Sequence, residues 1–222
     1  MRDAATRRFA LIVFDWDGTL ADSTALIAQS IQRACIDVGQ PPPDDVAARF
    51  VIGLGLADAM RTVAPALPVE RYGELSARYR DHYLARESDI PLFDGARELL
   101  AELDTAGYWL AVATGKSRRG LDRTLAANGL AGAFHATRCA DEGFPKPHPD
   151  MLLHLMDRLA VHPYETLMIG DTTHDLELAR NAGASGVAVS YGAHALEDLA
   201  SRSPLAAVNS VAELHSWLAL HG

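Results

Sequence analysis

Two aspartates one residue apart, Asp15 and Asp17, follow an apolar run from Phe9 to Phe14 and lead straight into Gly18-Thr19-Leu20. Residues two apart on a strand share a face, so both carboxylates can enter one site where the strand ends. Gly18 permits a sharp turn there, and Thr19 supplies a hydroxyl to hold it. Like charges this close need either a cation between them or a proton on one of them. Either remedy is useful chemistry: one aspartate as nucleophile or metal ligand, the other as general acid and base. An Asx-turn closing a strand is the competing role, so the pair needs partners elsewhere in the chain.

Three further segments supply them. Ala111-Val112-Ala113 runs into Thr114-Gly115-Lys116-Ser117 ahead of a helical pattern. A hydroxyl at a strand end beside a helix N-terminus suits an anion, with an N-cap as its alternative role. The tail Gly-Lys-Ser is not a nucleotide P-loop, because position 110 is Leu. Lys116 and Lys146 are the only lysines in the chain. Lys146 stands in Phe144-Pro145-Lys146-Pro147-His148-Pro149, where prolines restrict the backbone on both sides and present a cation rigidly. Such a cation can hold a phosphate or screen the carboxylate pair. Lys116 reads as a surface residue or a peripheral phosphate contact. Finally, Gly170-Asp171-Thr172-Thr173-His174-Asp175 follows Leu167-Met168-Ile169, and Asp171 and Asp175 can face one hard cation such as Mg²⁺. Helix N-capping is the competing role for Asp171 but leaves Asp175 unexplained.

These segments must be held by strands. Phe9–Phe14, Trp109–Ala113, Leu167–Ile169 and Gly186–Val189 read as buried strands; 96–104, 118–127, 149–159 and 175–181 read as helices, most with a glycine stop. Strands alternating with helices of this length predict an α/β fold with a doubly wound parallel sheet, a Rossmann-like core. A last strand and helix are expected within 206–220. The interval from Leu20 to Trp109 is far longer than one crossover needs. It holds helical stripes (Leu26, Ile27, Ile31, Ala34, Cys35, Val38; then Tyr72, Leu75, Tyr79, Tyr83) punctuated by prolines. The domains expected are therefore residues 1–20 and 93–222 as the core, and 21–92 as an inserted all-helical cap over the strand ends where the aspartates emerge. Ligands bind at that edge of open parallel sheets.

Composition narrows the classes. Hydrophobic content of 49% with 22% charged residues is that of a globular chain. A formal net charge of −9 argues against nucleic acid and anionic membrane surfaces as partners. Two cysteines without metal spacing, no leader and no membrane-length apolar run point to a cytoplasmic protein. Oligomeric state is not readable from the chain.

With these residues in place, the sequence resembles the haloacid dehalogenase-like hydrolase superfamily, and within it the phosphoglycolate phosphatase-like group. Four elements match in order: Asp-x-Asp-Gly-Thr at 15–19, the strand-end Thr114, Lys146 in Lys-Pro-x-Pro, and Gly-Asp-x-x-x-Asp at 170–175. Leu20-Ala21-Asp22-Ser23 and Ala179-Arg180-Asn181-Ala182-Gly183 extend the match. The resemblance implies a Mg²⁺-dependent phosphatase acting on a small phosphorylated metabolite through an aspartyl phosphate. Asp15 is then the nucleophile and Asp17 the acid and base. Thr114, Gly115 and Lys146 hold the phosphoryl group, with Arg49 as a substrate contact from the cap. The metal falls to Asp15, Asp17 through its backbone carbonyl, Asp171, and Asp175 directly or behind it. 2-Phosphoglycolate is the named candidate by resemblance alone.

Departures from relatives sharpen the reading. Asp17 argues against the dehalogenases and phosphonatases of the family, and the inserted region has no lysine for a Schiff base. A sugar-phosphate mutase of the β-phosphoglucomutase type retains both aspartates and needs a cap that binds a second phosphate; Arg49, Arg61 and Arg86 are the residues available for it. A phospho-accepting regulatory domain has an Asp, a Thr and a Lys on a similar sheet, but no large cap and no use for Asp17. Specificity is expected around 49–56 and on the helix bearing His82 and Arg86. Trp16, between the aspartates, either walls the substrate site or packs.

Overall fold

The structure is a computed structural model that describes residues 7–222. Six parallel strands, β1 (Leu11–Phe14), β2 (Trp109–Thr114), β3 (Ala136–Cys139), β4 (Thr166–Gly170), β5 (Ser185–Val189) and β6 (Ala207–Val208), form one sheet in the order β3-β2-β1-β4-β5-β6. This is the doubly wound order, with the direction of winding reversing between β1 and β4. Leu-Ile-Val-Phe in β1 is buried throughout, as a central strand covered on both faces must be.

Side-chain alternation divides the core into two layers. Ile12, Phe14, Leu110, Val112, Leu167 and Ile169 join one apolar cluster, while Leu11, Val13, Ala111, Ala113 and Met168 join another. The first cluster takes Leu99, Leu100 and Leu103 of α5 (Ala96–Thr105), Leu121 and Leu125 of α6 (Arg118–Ala127), and Leu214 and Leu218 of α10 (Val211–His221). The second takes Met151, Leu152 and Leu155 of α7 (Asp150–Leu159) and Leu178 and Ala179 of α8 (Thr173–Asn181). The sequence pattern did not predict β3 or α9 (Leu196–Ala200). β3 is the edge strand Ala-Thr-Arg-Cys, with its middle two residues half-buried, so it lacks the apolar run that marked the others.

Between β1 and β2 lie α1 (Thr24–Asp37), α2 (Asp45–Phe50), α3 (Leu56–Val63) and α4 (Tyr72–Leu84). They close around a separate apolar core that contains Ile27, Ile31, Ala34, Cys35, Met60, Leu75 and Tyr83. The two linkers to this insertion run side by side. Ala21 forms an antiparallel bridge with Leu92, the Asp22 N–H donates to the Pro91 carbonyl at 3.0 Å, and the Phe93 N–H donates to the Leu20 carbonyl at 3.0 Å. No described helix is long and apolar enough to cross a membrane.

Trp16 resolves to packing: it is 1% exposed and belongs to the sheet cluster, not to the walls of the cavity described below. Trp16→Ala is therefore expected to lower unfolding free energy by about 3–5 kcal/mol, measured by denaturant titration. A loss below about 1 kcal/mol would contradict the packing role.

Candidate active site

The ends of β1, β2 and β4 converge where the winding reverses, and each delivers part of the site. Asp15 directly follows β1, and its N–H donates to the Ile169 carbonyl at 2.9 Å, which ties it to β4. Gly18 has φ +82°, and a Cβ there would run into the Asp171 carboxylate, so the turn brings backbone against a carboxylate as only glycine allows. Thr19 then reaches across, its hydroxyl donating to Asp171 Oδ1 at 2.9 Å, while the Ala193 N–H donates to Asp171 Oδ2 at 2.8 Å.

The N-caps are other residues than the competing readings required. Ser117 caps α6 by accepting from the Gly120 N–H, which leaves Thr114 as the buried last residue of β2. Thr172 caps α8, leaving Asp171 outside the helix. Asp175 has a structural duty too: its Oδ2 accepts from the Thr172 N–H at 3.1 Å and from the Thr172 hydroxyl at 2.6 Å, closing a capping box.

Lys146 is 2% exposed and lies between two carboxylates. Its Nζ donates to Asp175 Oδ1 at 2.6 Å and sits 2.9 Å from Asp15 Oδ1. The second contact is an ion pair without hydrogen-bond alignment, for neither Asp15 oxygen accepts a hydrogen bond although both are buried. One ligand oxygen each from Asp15, Asp171 and Asp175 falls within 4.8 Å of the others. Three buried carboxylates, one with both oxygens unsatisfied, fit a hard divalent cation. Asp17's carboxylate is not in this group.

Asp17 is held elsewhere. The Ser23 hydroxyl donates to its Oδ1 at 2.8 Å, and the Lys116 ammonium donates to both its oxygens at 3.0 and 3.1 Å. The same ammonium donates to the Tyr83 hydroxyl at 2.8 Å. Lys116 is therefore not a surface residue. Its side chain is 9% exposed, and it links Asp17 to the helical insertion. Its local sequence carried no sign of this, because Tyr83 and Asp17 reach it only through the fold. Ser23 lay within the motif extension after Asp17 but had no assigned role.

Electrostatics follow the geometry. Burial pushes the Asp15 carboxyl up to about 7, against the pull of Lys146 and with help from Asp175. Burial, then the charges of Asp15 and Asp175, raise Asp171 well above the ordinary carboxylate range. Burial works against the Lys146 ammonium, but Asp15 and Asp175 more than offset it and keep it charged.

Other predicted substrate residues sit apart. Arg49 donates to Asp45 at 2.8 Å and to the Thr24 hydroxyl at 3.0 Å, and is not among the residues lining the cavity between insertion and sheet. His82 pairs with Asp37, and Arg86 with Asp89. Residues 51–56 and Gly115 do line that cavity.

A family model described as haloacid dehalogenase-like hydrolase matches residues 12–189, and the chain belongs to that family. It is 38% identical over 210 residues to a probable phosphatase, IndB, of Dickeya dadantii, covering 92% of this chain and 91% of that one. It is also 32% identical over 215 residues to a phosphoglycolate phosphatase of Vibrio vulnificus, covering 92% and 93%. The crystal structure of a predicted phosphatase from Clostridium acetobutylicum superposes with a TM-score of 0.84 at 26% identity, covering 96% and 99%.

The cluster also sets a pH dependence in chelator. A carboxyl raised from 3.8 to about 7 binds more protons in the folded state between those values. Its contribution to stability is complete below the lower value and lost as pH rises through the upper one; Asp171 acts in the same direction. The urea midpoint in EDTA should fall between about pH 5 and pH 8, and Asp15→Asn should flatten that fall. A wild-type midpoint that rises over the interval would contradict the assignment.

Proposed function

We propose that the protein is a Mg²⁺-dependent phosphatase that hydrolyses a small organic phosphate monoester, with Asp15 as nucleophile. The observation that supports this most is Asp15 itself: at a strand end, buried, both oxygens free of hydrogen bonds, and 2.9 Å from a buried ammonium. In this reading residues 21–92 are the cap, and residues 1–20 with 93–222 are the core.

Asp15 attacks phosphorus, forming a carboxylate-oxygen-to-phosphorus bond as the bond to the leaving oxygen breaks. Asp17 gives that oxygen its proton, then takes one from the water that attacks the aspartyl phosphate and releases inorganic phosphate. Two easier steps replace one hard one. Lys116 and Ser23 aim the Asp17 carboxylate, while Thr114, Gly115 and Lys146 take the phosphoryl oxygens. Lys146 lies beside the attacking carboxylate, where its charge offsets repulsion between Asp15 and the incoming dianion. Asp15, Asp171 and the Asp17 backbone carbonyl would hold Mg²⁺, whose positive charge would offset the negative charge gathered at the site. Asp175 already gives both oxygens to Lys146 and the capping box, which favours a supporting place behind the ligands. Barrier reductions for monoester hydrolysis reach on the order of 20 kcal/mol or more, so this preorganised charge must supply a large share.

The mutase reading needs a second phosphate site in the cap. Arg49, Arg61 and Arg86 are each already paired with an aspartate, which favours simple hydrolysis. The large insertion and the held Asp17 weigh against a regulatory phospho-acceptor. 2-Phosphoglycolate is a candidate substrate through the Vibrio relative's name, and two cysteines without metal spacing favour a cytoplasmic setting.

Asp15→Asn should lower phosphate release by a factor on the order of 10⁴ or more, with an unchanged circular dichroism spectrum. EDTA should abolish wild-type release and Mg²⁺ restore it. Turnover of Asp15→Asn equal to wild type, or full activity in chelator, would sink the reading.

A further inference from the structure

The insertion is seated on the sheet domain. The Phe50 carbonyl accepts from His174 Nε2 at 2.8 Å and from His194 Nε2 at 3.1 Å. Arg123 of α6 pairs with Glu87. Gly115 lies so close under the loop before α3 that a Cβ there would meet the Leu54 and Gly53 carbonyls at 2.6 and 2.7 Å. Gly55 of that loop faces Pro145, whose Cβ would be 3.3 Å from an added methyl. With Tyr83 bonded to Lys116, these contacts describe a closed arrangement.

Closure nevertheless leaves a cavity of about 770 Å³ between the two parts, continuous with Asp17, Gly115 and Lys116. That volume lies toward the upper end for sites that enclose drug-sized ligands. Its insertion side is apolar, with Ile27, Ile31, Leu54, Leu56, Met60 and Tyr79. Charge on the lining is mixed and comes from both parts, with Asp58, Glu87 and Asp141 beside four arginines. Arg61 and Arg123 have carboxylate partners, but Arg80 and Arg119 have none among the described residues.

We propose that this cavity receives the alcohol part of the substrate, and that this alcohol is much larger than glycolate: an apolar, ring-sized body that also carries a negatively charged group. This rests on the phosphatase reading above. Asp17 and Lys116 mark the end at which the ester bond breaks, so whatever leaves on protonation by Asp17 leaves into this space. A two-carbon carboxylate would fill a small part of it and leave the apolar wall facing water. A ring covers that wall and gains from its burial. Arg80 and Arg119, exposed on the lining and without carboxylate partners among the described residues, then meet an anionic group whose neutralisation costs no existing ion pair.

The test uses substrates with the same primary alkyl leaving chemistry: 2-phosphoglycolate, 2-phenylethyl phosphate and 4-(2-phosphooxyethyl)benzoate, each with Mg²⁺ and the full chain. 4-Nitrophenyl phosphate reports the phosphatase chemistry by itself. Phenylethyl phosphate should exceed 2-phosphoglycolate in kcat/KM by about tenfold or more, mainly through KM. The benzoate should gain further, and Arg80→Gln with Arg119→Gln should remove that second gain but not the first. Equal or better use of 2-phosphoglycolate would overturn the inference and leave the phosphatase reading standing. A double variant that keeps the benzoate's advantage would overturn the anionic group. No release from any of the four compounds would overturn the phosphatase reading itself.

Discussion

Everything at this site depends on confining negative charge where water cannot dilute it. Asp15, Asp171 and Asp175 are each at most 1% exposed, and among the described residues their only buried ammonium is Lys146. Fully ionised, three carboxylates against one lysine leave a buried excess of two negative charges. Removing charges from water costs several kcal/mol per ion even after relaxation, so such a cluster persists only if something completes it. The fold supplies part: Thr19 and the Ala193 N–H satisfy Asp171, and the capping box satisfies Asp175. Asp15 is left unsatisfied, and the remedies open to it are a cation and the proton that its raised affinity invites. Both remedies, and the third of attacking an electrophile, belong to the chemistry proposed.

The same constraint explains the scaffold. Charges must be held by elements that cannot relax toward one another, and parallel strand ends in a covered sheet are such elements. Asp15 follows β1, Asp171 follows β4, and their spacing is inherited from backbone pairing of Phe14 with Ile169. Lys146 comes from a loop stiffened by three prolines and reaches both partners from outside the sheet. The insertion adds a further hold on Asp17, through Tyr83 and Lys116.

Much of this was legible in the sequence because it is local. The strands β1, β2, β4 and β5 declared themselves as short apolar runs, and every motif residue except Lys146 sits within a few positions of one of their ends. The helical insertion was visible as one long interval with helical stripes and no strand. What the sequence hid depends on distant partners. Lys116 looked like an ordinary loop lysine until the fold set it between Asp17 and Tyr83, 99 and 33 residues away. Arg49 looked available for a substrate, yet Asp45, four residues earlier, and Thr24 occupy it. His174 had no assigned role, and the structure turns it, with His194, onto the Phe50 carbonyl of the insertion. β3 escaped because an edge strand with half-buried polar residues has no apolar signature.

The central claim is that phosphorus passes through Asp15. The most direct measurement is the mass of the active-site peptide from Asp17→Asn protein quenched in acid during reaction with acetyl phosphate and Mg²⁺. This donor needs no acid to expel its leaving group, so the first step proceeds while the water step, deprived of its base, stalls. Asp15 should then carry one phosphoryl group and no other residue should carry any. Turnover with Asp15 unmodified throughout, or a phosphoryl group on a different side chain, would contradict the claim.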